Sequence, residues 1–171
     1  MEQETAQYTV TGRKVTDIDR AFEAQVKGVV VLTSRLDERL TGMTASWFTR
    51  AAEQPFLAVA CVYKENFSHG IIRQSKALAV NFLGEGQQDL ARCFGRQSSR
   101  QVDKFAGLEF FTGRNGCPVL AEAAAYLECR LVDEMDARDH TVFLCEALAG
   151  RVLRSTRGLV YDRRDYLPGQ G

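Results

Sequence analysis

What most constrains the fold is a succession of short apolar runs, rich in β-branched residues and cut by breakers. Val29-Val30-Val31-Leu32-Thr33 is the first, and such residues suit a pleated, buried strand. The polar stretch Ser34 to Arg39 then predicts a turn, and Thr41 to Phe48 a returning strand. Gln54-Pro55 breaks the chain before a third run, Phe56 to Tyr63, and Ala77 to Leu83 follows as a fourth. Tyr126 to Val132 alternates in part, with Leu127, Cys129 and Leu131 on one face and Glu128 and Arg130 on the other. His140 to Leu153 is a long run in which Gly150 marks a bend or bulge.

Helical signals between these runs are short. Thr16 with Asp19 reads as a capping box, Ile18, Phe22 and Val26 share a face, and Gly28 ends the run. Asn66 and Ser68 both suit the N-cap of a helix covering Ile71 and Ile72. In Gln87 to Phe94, Leu90, Ala91 and Phe94 fall at helical spacing. The pattern predicts a mainly β chain with short helices, folded as a closed or nearly closed antiparallel barrel. A doubly wound sheet lacks support, since no GxGxxG follows a strand.

Several classes are set aside by composition. Lys and Arg total 22, as do Asp and Glu, so the chain lacks the surplus positive charge that a non-specific nucleic-acid binder needs. No apolar stretch is long enough to cross a bilayer. Met1 to Thr11 is polar, without the basic-then-apolar layout of a signal peptide, which implies a cytoplasmic protein. The 171 residues, with dispersed charge and no linker-like segment, suit one domain spanning 1–171. Among the five cysteines there is no CxxC, and Cys61, Cys129 and Cys145 sit in apolar runs as small core residues. No metal site is expected.

Four segments could carry chemistry. Thr41-Gly42-Met43-Thr44-Ala45-Ser46-Trp47-Phe48-Thr49 gathers small and hydroxyl residues at a strand end, where the backbone of a flat ligand's site could approach closely; a plain Ser/Thr-rich turn is the other reading. Lys64-Glu65-Asn66-Phe67-Ser68-His69-Gly70 puts a lysine before a helix start, a phosphate site or simple N-capping. Arg96, Arg100 and Lys104 cluster in a neutral chain, as phosphate ligands or as a solvated loop. Asp139-His140 pairs a carboxylate with an imidazole, for catalysis or for structure.

In order along the chain, these segments resemble the flavin reductase-like family, with its FMN-binding split-barrel fold. The resemblance runs from about Phe22 to Tyr166. It includes Gly28-Val29-Val30-Val31-Leu32-Thr33, Gly42-Met43-Thr44-Ala45-Ser46-Trp47, Asn66-Phe67-Ser68-His69 and Ala79-Val80-Asn81-Phe82-Leu83. Gln88 to Phe94, Asp103-Lys104-Phe105-Ala106-Gly107, Gly116-Cys117-Pro118-Val119-Leu120 and Asp139-His140-Thr141-Val142-Phe143 complete it. The later blocks are also similar to the flavin reductase domain of some flavodiiron proteins.

The resemblance implies an FMN-binding oxidoreductase that takes hydride from NADH or NADPH and passes electrons to a partner monooxygenase, a metal or a redox protein. It implies a homodimer. Thr44, Ala45, Ser46 and Trp47 would line the flavin ring. Lys64, Asn66, Ser68 and His69 would lie near the ribityl chain and phosphate, and Ser98, Arg100 and Lys104 would help hold the phosphate. His140 would face the nicotinamide as a catalytic, orienting group. Two positions depart from the family pattern: Trp47 replaces a small residue, and Ser99 stands where Gly is frequent. Two other readings are a flavin-binding electron carrier without a nicotinamide site, and a non-enzymatic split barrel binding another ligand such as haem, for which His69 and His140 are the only histidines.

Overall fold

The computed structural model describes residues 14–163. The polar opening that bears on targeting, and the end of the family resemblance past Arg163, lie outside them. One seven-stranded sheet dominates, with every neighbouring pair antiparallel. Its strands are β1 (Val30–Leu36), β2 (Arg39–Ala45), β3 (Phe48–Glu53), β4 (Phe56–Tyr63), β5 (Ala77–Phe82), β8 (Ala125–Ala137) and β9 (His140–Val152), and a hairpin of β6 (Phe110–Thr112) and β7 (Pro118–Leu120) stands apart. Three helices intervene: α1 (Asp17–Glu23), α2 (Phe67–Ser75) and α3 (Gln88–Arg96).

The strand order is β2-β1-β5-β8-β9-β4-β3. The two edge strands, β2 and β3, are consecutive in the chain and separated only by Ser46 and Trp47. A link that short holds the ends of both edges within several ångströms, so the sheet curls round until its edges meet at that point. This is a split barrel, mainly β with short helices as the sequence predicts.

Two apolar cores flank β1. Val30 and Leu32 face the barrel interior with Met43, Val62, Val80 and Phe143, while Val29 and Val31 face outward under α3, against Phe94, Phe105 and Leu120. A strand buried on both faces needs apolar residues at consecutive positions, which accounts for the unbroken run at its start. The run does not end at Thr33. Ser34, predicted in a turn, is fully buried inside β1, its Oγ donating to the carbonyl of Ala77 at 2.7 Å, and Thr33 Oγ1 donates to Pro118 O. The turn is narrower, at Asp37-Glu38, with Asp37 at φ +52°.

Three other expectations change. The returning strand is two strands, split at Ser46-Trp47. The run at Tyr126 continues to Ala137, because β8 pairs with β9 through two register shifts that carry its polar far half along the hairpin. The first helix has its capping box but stops at Glu23, and Ile18, Phe22 and Val26 are 70%, 65% and 80% exposed, not packed on the chain's own core. Cys129 and Cys145 are buried as expected, whereas Cys61 is half-buried. Burial pushes the Cys129 and Cys145 thiols up to about 12, which keeps them protonated and unreactive.

Candidate functional site

β2 carries two of the predicted site residues, Thr44 and Ala45, along a sheet edge, where alternate backbone groups have no neighbouring strand. At its far end Ala45 is buried against the barrel core. Thr44 turns to the opposite side and donates its hydroxyl to the carbonyl of Ala91 in α3 at 2.6 Å, so its side chain fastens the helix to the edge. Midway, the Gly42 carbonyl is directed off the ladder and accepts from Lys104 Nζ at 3.0 Å and Ser99 Oγ at 3.5 Å.

Beyond β2, Ser46 and Trp47 form the crossing to β3. Trp47 is 54% exposed, its carbonyl accepts from Cys61 N, and its ring lies 4.9 Å from that of His140. The Tyr63 ring also lies against His140, with centroids 5.4 Å apart. His140 starts β9, is paired in register with Tyr63, and its Nδ1 lies 2.9 Å from Asp139 Oδ1. That hydrogen bond holds the Asp139 carboxyl below its ordinary range. Trp47, Tyr63 and His140 therefore form a half-exposed aromatic group at the strand crossing.

The near end of β2 opens onto a cleft of about 390 Å³ lined by Arg39, Leu40, Phe67, Ser99 and Arg100, within the size range of small-ligand pockets. The Arg100 guanidinium lies over the Phe67 ring, 5.4 Å from its centroid. Behind the cleft runs a chain of hydroxyls: Thr41 Oγ1 is 2.7 Å from Ser68 Oγ and 3.3 Å from Ser99 Oγ. Ser98 stiffens the loop, accepting from Arg100 N at 3.2 Å. Asn66 is the N-cap of α2, accepting from Ser68 N at 3.1 Å, so of the two residues suited to capping it is Asn66 that caps and Ser68 that is buried in the first turn.

Of the residues predicted near the ribityl chain and phosphate only Arg100 lines the cleft, and three of the others are engaged elsewhere. Lys64 forms an ion pair with Asp136 in the β8–β9 hairpin, which lowers the Asp136 carboxyl. His69 is buried, with Nε2 at 2.8 Å from Thr141 Oγ1 and its ring 5.2 Å from Phe143. Burial, followed by the charge of Arg73, lowers its affinity for a proton. Lys104 is 6% exposed, and its ammonium donates to the carbonyls of Gly42 and Phe94 at 3.0 and 2.8 Å. Burial brings its pKa down to about 8. The sequence reading did not single out Arg39, Phe67 or Tyr63. Arg39 lay inside an expected turn, Phe67 lay within the lysine segment without a role of its own, and Tyr63 preceded that segment, so only the hairpin register and the α2 packing bring them to the site.

A curled antiparallel sheet with a basic cleft and an aromatic group at the two ends of one edge strand is the frame of a cofactor-holding split barrel. The chain belongs to the flavin reductase-like family: the family model for the flavin reductase like domain matches residues 23–170. It is 32% identical over 143 residues to a ferric-chelate reductase (NAD(P)H) of Archaeoglobus fulgidus, covering 82% of this chain and 85% of that one. Among solved structures, the NADH:FAD oxidoreductase SgcE6 of Streptomyces globisporus C-1027 superposes with a TM-score of 0.79 at 31% identity, covering 85% of this chain and 87% of that one. Diflavin flavoprotein A 1 of Synechocystis is 29% identical over 82% of this chain, which spans only 25% of that relative's length. Among the described residues no helix is long and apolar enough to cross a membrane, and no group of His, Cys, Asp and Glu could hold a metal ion.

Proposed function

We propose that this protein is an NAD(P)H-dependent flavin reductase that binds FMN along β2. The observation that carries the reading is the division of this one edge, with a cleft bearing guanidinium groups at Arg39 and an aromatic group beside Ala45-Ser46-Trp47 at the other end. A strand of this length spans about 20 Å, and a flat ring with a phosphorylated tail has matching polarity when laid along it. The residues present fit such a group, because the cleft offers cations and hydroxyls without a carboxylate in its lining.

When bound, the flavin supplies the redox chemistry, accepting a hydride from the nicotinamide and passing electrons onward. The protein's part is to bind, orient and exclude water. Arg100 meets the negative charge of the phosphate, and Ser98 and Asn66 fix the two segments that frame it. Backbone groups of Ala45 to Trp47 meet the ring's polar edge. His140, held by Asp139 and flanked by Trp47 and Tyr63, orients the nicotinamide over the reacting face. Lys104, Thr44 and Ser68 act through position, tying the loop, α3 and α2 to the edge strand, and His69 ties α2 to β9.

A homodimer is part of the proposal. Ile18, Phe22, Met135 and Leu148 are each more than half exposed, apolar side chains of the kind that a second copy would cover. Light scattering at micromolar concentration tests it, and a monomer would refute it. A partner monooxygenase, a redox protein or a chelated metal then receives the electrons, in a cytoplasmic setting. The absorption spectrum of the protein with FMN, followed anaerobically on adding NADH and then NADPH, tests the activity. Loss of the oxidised flavin bands supports a reductase and identifies its donor. Binding without bleaching refutes the nicotinamide step and favours an electron carrier.

A further inference from the structure

We infer that Arg39 is an anion-binding residue of the cleft, gripping the terminal phosphate of the flavin together with Arg100; this rests on the flavin-binding reading above. Of the cations near the cleft, two are already engaged. Lys64 is paired with Asp136, and the Lys104 ammonium is buried on the carbonyls of Gly42 and Phe94. Arg39 and Arg100 are the cations in the cleft lining, and among the described residues neither is in an ion pair. The carboxylate next to Arg39 in the chain, Glu38, is directed to Arg35 at 3.3 Å. Arg39 is thus a guanidinium left without an acidic partner at the mouth of a cleft.

Its surroundings suit a phosphate. Phe67, the first residue of α2, lines the cleft, and the first turn of that nine-residue helix carries no acidic side chain to offset its positive end. Ser99 lines the same cleft. A phosphate monoester carries close to two negative charges at neutral pH, and two guanidinium forks offer paired donors to its oxygens. Arg100 comes from the loop after α3 and Arg39 from the start of β2. A phosphate held between them would tie that loop to the sheet edge.

The test uses fluorescence titration of the whole chain with riboflavin, which lacks the phosphate, FMN and FAD. Arg39→Gln should weaken binding of FMN, of FAD or of both by about tenfold, as expected for one lost charge-assisted hydrogen bond, and leave riboflavin unchanged. Which of the two is affected distinguishes a monophosphate from a diphosphate ligand. Arg39→Lys should recover part of the loss, since it keeps the charge but not the fork. The exposed position makes misfolding a small risk, and an unchanged thermal midpoint checks it. Equal weakening of riboflavin and the phosphorylated flavins, or no weakening at all, would overturn the assignment. If the wild-type chain bound none of the three, the flavin reading itself would fall first.

Discussion

Gly42→Ala tests the packing beneath the candidate site. A Cβ on residue 42 would lie 2.5 Å from Phe94 Cε1 and 2.6 Å from Cδ1, about 1 Å inside ordinary carbon–carbon contact. The ring has little room to withdraw. Phe94 is 1% exposed and packs edge-on against Phe105, with centroids 5.3 Å apart. Its carbonyl and that of Gly42 share the Lys104 ammonium, so parting the two residues also stretches that staple. Overpacking of this kind costs about 1–3 kcal/mol, and the fixed ring puts the expectation at about 2–3 kcal/mol. For a chain of this size that lowers the thermal midpoint by roughly 5–10 °C. Urea unfolding of Gly42→Ala, Phe94→Leu and the double variant provides the assay. A smaller side chain at 94 makes room for the methyl, so the double variant should be at least about 1 kcal/mol more stable than the sum of the single losses. A Gly42→Ala protein within about 0.5 kcal/mol of wild type, or strictly additive losses, would refute the argument.

Three other outcomes follow from single contacts. Asn81 is fully buried, donates to Val31 O and Thr33 Oγ1 and accepts from Leu120 N; Asn81→Leu should cost about 2–4 kcal/mol in urea unfolding by stranding those groups. His69 has a lowered proton affinity in the fold, so the unfolded chain takes up a proton first, near its ordinary value of 6.5. The His69 contribution to stability should therefore be flat above that pH and fall below it, and His69→Gln should flatten the fall when urea midpoints are compared from pH 8 to 5. Trp47→Ala removes a ring that lies tilted against His140; the KM for the nicotinamide should change by about two- to tenfold, the worth of one aromatic contact, and unchanged kinetics would end the idea that Trp47 governs the second substrate.

Legibility in the sequence follows the kind of burial each segment undergoes. β4 was readable from Phe56 to Tyr63 because Pro55 and the Lys64-Glu65 turn punctuate it on both sides. α2 was readable from Asn66, whose side chain caps it as its residue type predicts. β1 was cut short after Thr33 because the polar run from Ser34 to Arg39 looks like a turn, yet Thr33 and Ser34 both lie inside the strand. Their hydroxyls are satisfied by carbonyls of β5 and β7, far along the chain, and no local pattern reveals those partners. The β6–β7 hairpin is too short to show a period. Among the site residues, Trp47 and His140 lay in segments singled out by residue type, took their roles from the resemblance, and lie together. Arg39 was hidden because a one-residue difference in where a hairpin turns decides whether an arginine sits in the turn or at the head of a strand.

The same sheet edge explains why residues of such different character were grouped by sequence order yet behave differently. Lys104 and Arg100 lie four positions apart in one loop. One ammonium is drawn under the strand, where two carbonyls replace its water, and one guanidinium stays outside on an aromatic face. A buried lysine on fixed carbonyls is a poor ligand for an incoming anion, because binding would require it to break two hydrogen bonds. An exposed arginine loses only water. The division of labour within that loop is therefore set by Gly42: with no side chain there, the Phe94 ring packs against the strand and the carbonyls of Gly42 and Phe94 come close enough for Lys104 to join them. That tie positions the segment from which Arg100 reaches the cleft.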